Sequence, residues 1–560
     1  MAKAVWWRVL SLALALWTAP VWAEENGFLD AAGDAPRLLA AIEKERPAFT
    51  PPAGVTGISV PHHLLADDLI ARGFWAASAM HPRRVLLISP DHFRKVKGAF
   101  ATTREDLRTV FGIVPADDAG VDALLSHPEL FEALPGIDHE HGVMALAPFV
   151  AHFFPDAQIV PVLASINADA SDWSAAVAAL KPLIDADTLV VQSTDYSHYL
   201  PQGEAVLRDQ ETLTMLAAGD ADGVLPLMQP SHMDSKSAQF IQLRLQHDVF
   251  GAVPVVLANR NSAEYGPSEN SSTSYVVTAW VKDPAAGAVF DYPDQHRVMF
   301  AGDTLAGRYL LPALRDKAAW AAITGAVSAT TANTPLIVNL EGVVLDEPVA
   351  GLGIGEHLML MEDTAPLLAA FRVRGTSLAN NHANDLGDVG REESVRLLKS
   401  IGIAPIEHGA VTDFGGFRIV GINFVRGRLT GDRLASPDDL DWVCGLHAAP
   451  PLVAFVHWGT EYTDAPSDAE RGVAEKLAGC GVSLVVGAHA HRASPVITPM
   501  AGGRGMMLYS LGNFLFDQSE SRGSGELLEL RVFRQGTIAA RLVPLPNLFE
   551  LGKKALEAAP

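Results

Sequence analysis

Five apolar segments in the second half of the chain each end in a polar side chain that can bind a metal ion. Segments this apolar predict buried strands, and open α/β sheets bind their ligands at the carboxyl ends of such strands. Side chains from distant parts of the chain are therefore expected to meet at one edge. The segments are VMFAGD, ending at Asp303; LIVNLE, at Glu341; SLANNH, at Asn381 and His382; LVAFVH, at His457; and LVVGAHAH, at His489 and His491.

The ordered set predicts a site for two divalent cations. A single histidine at a strand end is more often a hydrogen-bonded structural residue than a ligand. Five strand ends in order, all with carboxylate, amide or imidazole groups, instead favour a metal site. Glu341 is predicted to bridge, because an anionic oxygen ligand lets two cations lie about 3.5–4 Å apart. Asp303 is expected to bind one cation, and His489 and His491 two neighbouring ones.

Composition places the chain among globular proteins and excludes one class of partner. Its 560 residues predict more than one domain, with 49% hydrophobic and 19% charged residues. The formal net charge of -23 argues against nucleic acid, because no face dense in Lys and Arg is present to neutralise phosphates.

The first 23 residues have the layout of a secretory signal peptide. Lys3 and Arg8 supply the positive charge at the start. The apolar stretch after them is too short to span a bilayer as a helix, and Ala23 stands at the expected cleavage position. The chain is therefore expected to be exported to the periplasm or beyond, without a transmembrane span after cleavage. An uncleaved anchor is the alternative, which Arg8 and Pro20 disfavour.

Strands alternate with amphipathic helices in both halves, which predicts an α/β protein of two domains. The predicted order is a domain at 24–281, a linker at 282–296, a second domain at 297–548 and a frayed tail at 549–560. Ser467 and Glu470 predict the capping box of one helix, with Val473, Ala474 and Leu477 buried; a second helix is expected from Arg391, with Val395, Leu398 and Ile401 on its buried face. Cys444 and Cys480 could pair in an oxidising compartment, but small buried residues are common near strand starts, which favours two free buried thiols.

The first half repeats the pattern of strand-end ligands with different residues. Three apolar segments, GISVPHH, RVLLISPDHF and TLVVQSTDYSHY, end in histidine or aspartate, and a loop DHEHG lies between the last two. Imidazoles with carboxylate around a single cation suit one Fe, Cu or Zn ion. The candidate ligands are His62, His92, Glu140, His141, Asp195 and His198.

The motifs of the second half, GDTLAGR, NLEG, NNHANDLG, HWGTEY, GAHAH and YSLGNFLFDQ, resemble in that order the signature of CapA-type proteins of poly-gamma-glutamate capsule synthesis. The resemblance covers residues 297–545. It implies a branch of the calcineurin-like metallophosphoesterases, with an α/β sandwich of two sheets flanked by helices. By motif, two ions (Mn, Fe or Zn) would be held by Asp303, Glu341, Asn381, His457, His489 and His491, and His382 would be the acid that protonates a leaving oxygen.

Metallophosphoesterases usually carry a histidine two residues after the first aspartate, where this chain has Leu305. One metal is therefore expected to have only Asp303, Glu341 and His491 as protein ligands. Asp385 and Glu461 are candidates for orienting a histidine, or else for capping loops. Asn513 is expected to hold a turn near the site.

The motifs PHH, SPDHF, EHG and STDYSHY resemble the Memo-like family, called AmmeMemoRadiSam system protein B in bacteria, over residues 50–280. That family is itself similar to class III extradiol dioxygenases, which implies an α/β domain of that type. The family commonly has a metal-binding cysteine in a D-x-C-G context; HMDSKSAQ places Lys236 at that position. The loss of a thiolate and the gain of a cation there are expected to weaken metal binding, which leaves both catalysis and a binding or scaffolding role open.

These features support three hypotheses. The first is an exported metal-dependent hydrolase of the phosphoesterase type, acting on a phosphoester or an envelope polymer such as poly-gamma-glutamate. The second is a non-catalytic factor of capsule or envelope assembly that binds such a polymer together with partners. The third places a metal-dependent oxygenase or redox activity in the Memo-like half.

Overall fold

The computed structural model describes residues 31–266, 270–350, 356–427, 434–436, 440–446, 450–519 and 523–558. They divide into two compact units. The first contains residues up to 205, 221–252 and 257–282, and the second contains 206–220, 253–256 and those from 283 onward. The predicted signal peptide lies outside the described residues. Within the described part of the chain, no helix combines the length and apolarity needed to cross a membrane.

Helices alternate with strands along both units, as the sequence predicts. In chain order they are α1 (Ala35–Lys44), α2 (Asp67–Ala76), α3 (Asp118–Leu125), α4 (His141–Met144), α5 (Ala147–Phe153), α6 (Ala170–Leu180), α7 (Gln202–Ala218), α8 (Lys236–Leu245), α9 (Leu311–Arg315), α10 (Lys317–Thr331), α11 (Met361–Ala370), α12 (Gly387–Ser400), α13 (Asp441–Cys444), α14 (Asp468–Gly479) and α15 (Leu548–Glu557).

The N-terminal unit is built on a mixed sheet. Its strands are β1 (Val55–Val60), β2 (Arg84–Pro90), β3 (Phe100–Thr102), β6 (Phe131–Ala133), β7 (Gln158–Ala164), β8 (Thr188–Ser193), β9 (Tyr196–Leu200), β10 (Val253–Asn261) and β11 (Ser272–Val281); β4 (Leu107–Thr109) and β5 (Gly112–Val114) form a separate hairpin. The order is β10-β11-β1-β8-β2-β7-β3-β6, with β9 on β11. The central strands β1, β8, β2 and β7 are parallel. Their apolar sequences are buried throughout β1 and β8, as expected of strands covered on both faces.

The C-terminal unit contains two larger sheets and one short pair. The strands are β12 (Gln295–Thr304), β13 (Leu336–Leu340), β14 (Val343–Leu345), β15 (Leu358–Leu360), β16 (Val373–Ser377), β17 (Ala404–Ile406), β18 (Val411–Asp413), β19 (Arg418–Asn423), β20 (Leu452–His457), β21 (Val482–Ala488), β22 (Thr498–Pro499), β23 (Met506–Leu508), β24 (Asn513–Leu515), β25 (Gly525–Phe533) and β26 (Ile538–Leu545). One sheet has the order β17-β16-β13-β12-β25-β26, with β24 on β12, and the other β18-β19-β20-β21-β23-β22.

Alternating side chains bury both faces of these sheets. Along β12, Phe300 belongs to the core between the two sheets, whereas Met299 and Ala301 pack toward the helices on the opposite face. The outer face of the second sheet packs against α14 through Val473 and Leu477. The structure is therefore a sandwich of two sheets flanked by helices, which confirms the predicted fold class.

Two helices extend beyond the sequence-based expectation. Helix α12 begins at Gly387, four residues before Arg391, and buries Ser394 and Leu398, whereas Ile401 is 41% exposed at its end. Val395 packs partly buried against the same core as Leu398, so the expected buried face is confirmed except at Ile401, which lies just beyond the helix end. Helix α15 occupies the segment predicted as a frayed tail, and its Leu548 is buried against the first sheet's helical layer. The capping box of α14 is present as predicted at Ser467 and Glu470.

The prediction of two free thiols was wrong. Cys444 ends the short helix α13 and Cys480 caps the carboxyl end of α14, with Cα atoms 4.3 Å apart, and the two form a disulfide. The sequence suggested that each cysteine precedes a buried strand. Helix α13 instead carries Cys444 to the end of α14.

The predicted linker is attached to the C-terminal unit by buried arginines. Arg531 donates to the carbonyl of Phe290 at 2.8 Å, and Arg541 to that of Pro284 at 2.6 Å. Glu529, fully buried, pairs with both guanidinium groups. Residues 284–290 therefore have fixed positions on the sheet formed by β25 and β26.

Candidate metal centres

The polar side chains predicted at the strand ends of the C-terminal unit lie together. β12, β13 and β16 are parallel to one another, as are β20 and β21, so their carboxyl ends supply neighbouring positions. The residues are Asp303 in β12, Glu341 after β13, Asn381 and His382 after β16, His457 at the end of β20, and His489 and His491 after β21.

Asp303, Glu341 and His491 form one group of potential ligands, with donor atoms within 4.8 Å of one another. Nδ1 of His491 lies 3.1 Å from Oδ2 of Asp303 and 2.9 Å from Oδ1 of Asn513. Asn513 therefore orients the His491 ring directly, whereas the sequence suggested only that it holds a turn near the site. The three potential ligands are all buried.

Glu341, His457 and His489 form a second group at the same spacing. Nε2 of His457 lies 3.7 Å from Oε1 of Glu341 and 2.8 Å from Oδ1 of Asn381. The amide oxygen of Asn381 thus lies beside the second group. Glu341 is the carboxylate common to both groups.

The donor atoms of this site fit divalent cations. Oε2 of Glu341 and Nδ1 of His489 are buried and have no hydrogen-bond partner among the described residues. Buried polar atoms are normally hydrogen-bonded, so orphaned atoms call for another partner. Carboxylate oxygens, imidazole nitrogens and one amide oxygen are the ligands of Zn²⁺, Mn²⁺ and Fe²⁺.

The electrostatics of the site also favour cations. Burial raises the pKa of Glu341 well above its usual range, and the neighbouring charge of Asp303 raises it further. Burial lowers the pKa of His457, and lowers that of His489 to about 4. Burial acts in the same direction on His491, but the hydrogen bond and charge of Asp303 raise its pKa to about 10. Two adjacent buried carboxylates therefore attract positive charge to this position.

The GAHAH loop adopts an unusual backbone to present its histidines. His489 has φ of 92° and His491 φ of 56°, the left-handed region that side chains other than glycine rarely adopt. The amide of His489 is directed at the Asp303 carboxylate, 3.3 Å from Oδ2. Such strain is retained where the surroundings enforce it, commonly at functional sites.

His382 lies beside the metal ligands with its orientation fixed. Its Nδ1 is 2.8 Å from Oδ2 of Asp385, so Asp385 orients the ring. This was one of the two roles that the sequence suggested for Asp385, the other being a loop cap. Its other neighbour, His357, was missed because it lies in a connecting segment without a strand-end signal. The His357 ring stacks on His382, and Arg308 contacts His357 in turn.

Three further residues have distinct positions. Leu305 is fully buried in the core beneath the helices, so no side chain takes the place of the family histidine there. Glu461 is exposed; its charge raises the pKa of Glu341 from a distance. Asn339, which sequence reasoning noted only as a neighbour, donates to Oδ1 of Asp303 at 2.8 Å and lies 3.3 Å from Nδ1 of His457.

The predicted residues of the N-terminal unit form a second cluster. Nε2 of His62 lies 3.6 Å from Oδ2 of Asp195, and the rings of His62 and His92 are 4.7 Å apart. Glu140 contacts Nδ1 of His92 rather than pointing at the same centre. His141 lies at the margin, with its ring centroid 5.7 Å from that of His92, whereas His198 belongs to a group of potential ligands with Asp195.

Asp234 is the residue of this cluster that sequence reasoning missed. Its Oδ2 lies 3.1 Å from Nε2 of His62. Lys236, expected to place a cation at the site, instead donates from Nζ to the carbonyl of Leu225 at 2.7 Å, on the exposed side of α8. Lys236 therefore does not direct its charge into the cluster, and the strength of metal binding there stays a prediction. Asp234, two positions before Lys236, faces the histidines instead, because helix α8 begins after Ser235.

Two α/β units have histidine and carboxylate clusters at their strand ends that could hold metal ions, and each unit matches a known family. Residues 36–278 match the family described as Memo-like protein, and residues 297–414 and 441–518 match the family described as Bacterial capsule synthesis protein PGA_cap. The chain thus joins an N-terminal Memo-like domain to a C-terminal PGA_cap domain.

Curated relatives agree with this division. The chain is 26% identical to the Capsule biosynthesis protein CapA of Bacillus anthracis over 36% of its own length and 54% of that protein. It is 24% identical to the PGA biosynthesis protein CapA of Bacillus subtilis, over 44% of this chain and 70% of the relative. It is 23% identical to the MEMO1 family protein MK0963 of Methanopyrus kandleri, over 32% of this chain and 65% of the relative. The chain thus spans about half the length of the first of these relatives.

Proposed function

We propose that the C-terminal unit is a two-metal hydrolase of phosphoesters or related centres. The observation that carries the proposal is the position of Glu341, a buried carboxylate common to two groups of potential ligands. Asp303 and His491 complete one group, and His457 and His489 the other. Two cations bound there would polarise an ester and activate a water molecule between them.

The chain's own residues supply orientation and a proton. The hydrogen bond from Nδ1 of His382 to Asp385 leaves Nε2 of the same ring to carry a proton to a leaving oxygen. Asn381, one residue earlier, adds a neutral oxygen without adding charge. Asn339 donates a hydrogen bond to Asp303 and lies against His457, so it fixes the position of one ligand group relative to the other.

We further propose that this hydrolase is exported and acts on a capsule or envelope polymer. The names of the two CapA relatives support the polymer, and the predicted signal peptide supports export. The Cys444–Cys480 disulfide agrees with an oxidising compartment, since cytosolic thiols are kept reduced. With a net charge of -23, the chain would bind an anionic polymer through the cations rather than through basic side chains.

Hydrolysis of bis(p-nitrophenyl) phosphate by the full chain with Mn²⁺ tests the activity. We expect turnover that a chelator removes and added Mn²⁺ restores. Glu341→Ala and His489→Ala are each expected to reduce turnover to background. His296→Ala is the matched control, because His296 is exposed at the opposite end of the strand that carries Asp303; it is expected to retain full activity.

Two outcomes contradict the proposal. Turnover that survives both Glu341→Ala and His489→Ala would place the chemistry elsewhere. Binding of Mn²⁺ that depends on Glu341, with no turnover of phosphodiesters, phosphomonoesters or poly-gamma-glutamate, would make the C-terminal unit a metal-dependent binding factor of envelope assembly.

A further inference from the structure

The cluster in the N-terminal unit contains more ligands than one cation requires. We propose that it is a two-metal site, in which Asp234 joins a cation held by His62 and His92 to a second cation held by Asp195 and His198. The sequence suggested a single ion there. The inference concerns the N-terminal unit alone and is independent of the hydrolase proposed above.

Two groups of potential ligands share Asp234. His62, His92 and Asp234 form one group, and Asp195, His198 and Asp234 form the other, each with donor atoms within 4.8 Å. Oδ2 of Asp234 lies 3.1 Å from Nε2 of His62 and 3.9 Å from Nε2 of His92. One carboxylate with ligands on both sides is the arrangement that a pair of cations needs.

His62 and His92 are oriented with Nε2 toward the shared carboxylate, and each of the three histidines has a partner at Nδ1. Nδ1 of His92 contacts the Glu140 carboxylate, and Nδ1 of His62 lies 3.1 Å from Oγ of Ser193. Nδ1 of His198 lies 2.6 Å from the carbonyl of Tyr196. For His92 and His198 the carboxylate or carbonyl can only accept, so it favours the proton on Nδ1 and leaves Nε2 as a lone pair, the usual arrangement around protein-bound metals.

One carboxylate oxygen of Asp234 lacks a hydrogen-bond donor among the described residues. Its side chain is only 10% exposed, and Oδ1 is buried without a hydrogen-bond partner in the described part of the chain. The amide of Asp195 donates to Oδ2 at 3.2 Å, which fixes the carboxylate between the two groups. A buried carboxylate oxygen left without a donor is costly unless a cation contacts it.

The ligand set selects the class of ion. Imidazole nitrogens and carboxylate oxygens without a thiolate suit divalent Mn²⁺, Fe²⁺ or Zn²⁺ rather than Cu⁺. Asp195 and Asp234 provide two carboxylates beside the imidazoles. Each proposed cation has three protein ligands counting Asp234, so open positions remain for water or an oxygen-rich ligand.

Metal stoichiometry tests the proposal. The full chain is stripped with a chelator, dialysed against Mn²⁺ and measured by elemental analysis. Asp234→Asn is expected to lose two Mn²⁺ per chain relative to the unmodified protein. His92→Ala and His198→Ala are each expected to lose one, and the double variant two. His127→Ala is the control, because the His127 side chain is 47% exposed and its Nδ1 lies 3.6 Å from Glu129; it should lose none.

The same losses are expected in a Glu341→Ala background, because they arise in the other unit; this separates the inference from the proposed hydrolase. Full Mn²⁺ content in His198→Ala would leave at most one ion in the cluster and overturn the proposal. Equal Mn²⁺ content in Asp234→Asn and the unmodified chain would overturn it as well. If Asp234→Asn does not fold, as judged by circular dichroism, the two histidine variants and their combination decide the question.

Discussion

Arg308 donates a hydrogen bond from Nη1 to Nε2 of His357, over 2.7 Å. A guanidinium can only donate, so Nε2 of His357 accepts and its ring is neutral. That ring stacks on His382, with centroids 3.5 Å apart and an angle of 17° between the planes. Arg308 therefore fixes, through His357, one face of the histidine to which we assign proton transfer.

Removing these two histidines is expected to have unequal effects. His382→Ala should lower turnover by about 10²–10⁴-fold, the usual contribution of a general acid. His357→Ala should lower it less, because it removes only the support of the ring, and His357→Phe should recover part of the loss by restoring the stacked face. Phosphodiester hydrolysis and Mn²⁺ content are measured together. Metal loss in His357→Ala would show that His357 acts on the ligands instead.

Gly302→Ala is expected to disrupt the C-terminal metal site. A Cβ at Gly302 would lie 1.9 Å from the carbonyl oxygen of Gly512, which also accepts from the amide of Asp303 at 2.9 Å. Strand β12 must therefore move, and Asp303 with it. We expect reduced Mn²⁺ content and turnover. Gly325→Ala is the control, because nothing lies within 4 Å of its Cβ position on helix α10; unchanged Mn²⁺ content in both variants would contradict the prediction.

The raised pKa of Glu526 predicts that the free energy of unfolding falls as pH rises. Burial raises the pKa of Glu526 from 4.5 to about 7. Between these values the folded chain binds the proton more tightly than the unfolded chain, so ionisation costs stability as pH rises through this window. Glu526→Gln should raise the free energy of unfolding at pH 8 by about 1–2 kcal/mol, allowing for partial exposure, and by nothing below pH 4.5.

Urea unfolding at both pH values measures this difference. Glu392→Gln serves as the control, because Glu392 is 72% exposed. A gain at pH 8 equal to the gain at pH 4 would exclude ionisation as its cause.

The disulfide predicts a redox-dependent stability of the C-terminal unit. Cys444 and Cys480 are separated by 36 residues, and closing a loop of that length stabilises the folded state by about 3–4 kcal/mol in the chain-entropy account. Cys444→Ala with Cys480→Ala should unfold at lower urea, as should the reduced protein. Thiol titration of the native chain should find no free cysteine. Two reactive thiols in that titration would contradict the pairing.

Strand-end patterns predicted much of the C-terminal site because they depend on local sequence. A buried apolar strand ends at the edge of its sheet, so the polar residue that follows it lies at that edge. Neighbouring parallel strands end at the same edge, which brings their polar residues together. This reasoning was sufficient for Asp303, Glu341, His457 and the GAHAH loop. Whether cations bind there stays a prediction.

The residues that were missed depend on how connecting segments fold. His357 follows no long apolar segment, and it reaches His382 only through the packing of β15 and the loop after β16. Asp234 was overlooked because a family motif directed attention to Lys236, two positions away, and the start of α8 decides which of them faces the histidines. Cys444 and Cys480 pair through two helix ends, a proximity that no local pattern encodes.

The arginines of β25 and β26 define where an expression fragment can begin. The backbone carbonyls of Pro284 and Phe290 are acceptors for Arg541 and Arg531. A fragment starting at residue 297 would remove both carbonyl acceptors from the guanidinium groups that pair with the buried Glu529. Truncations intended to isolate the capsule-type domain should therefore begin no later than Asp283, because the apparent connector is part of what that domain needs to fold.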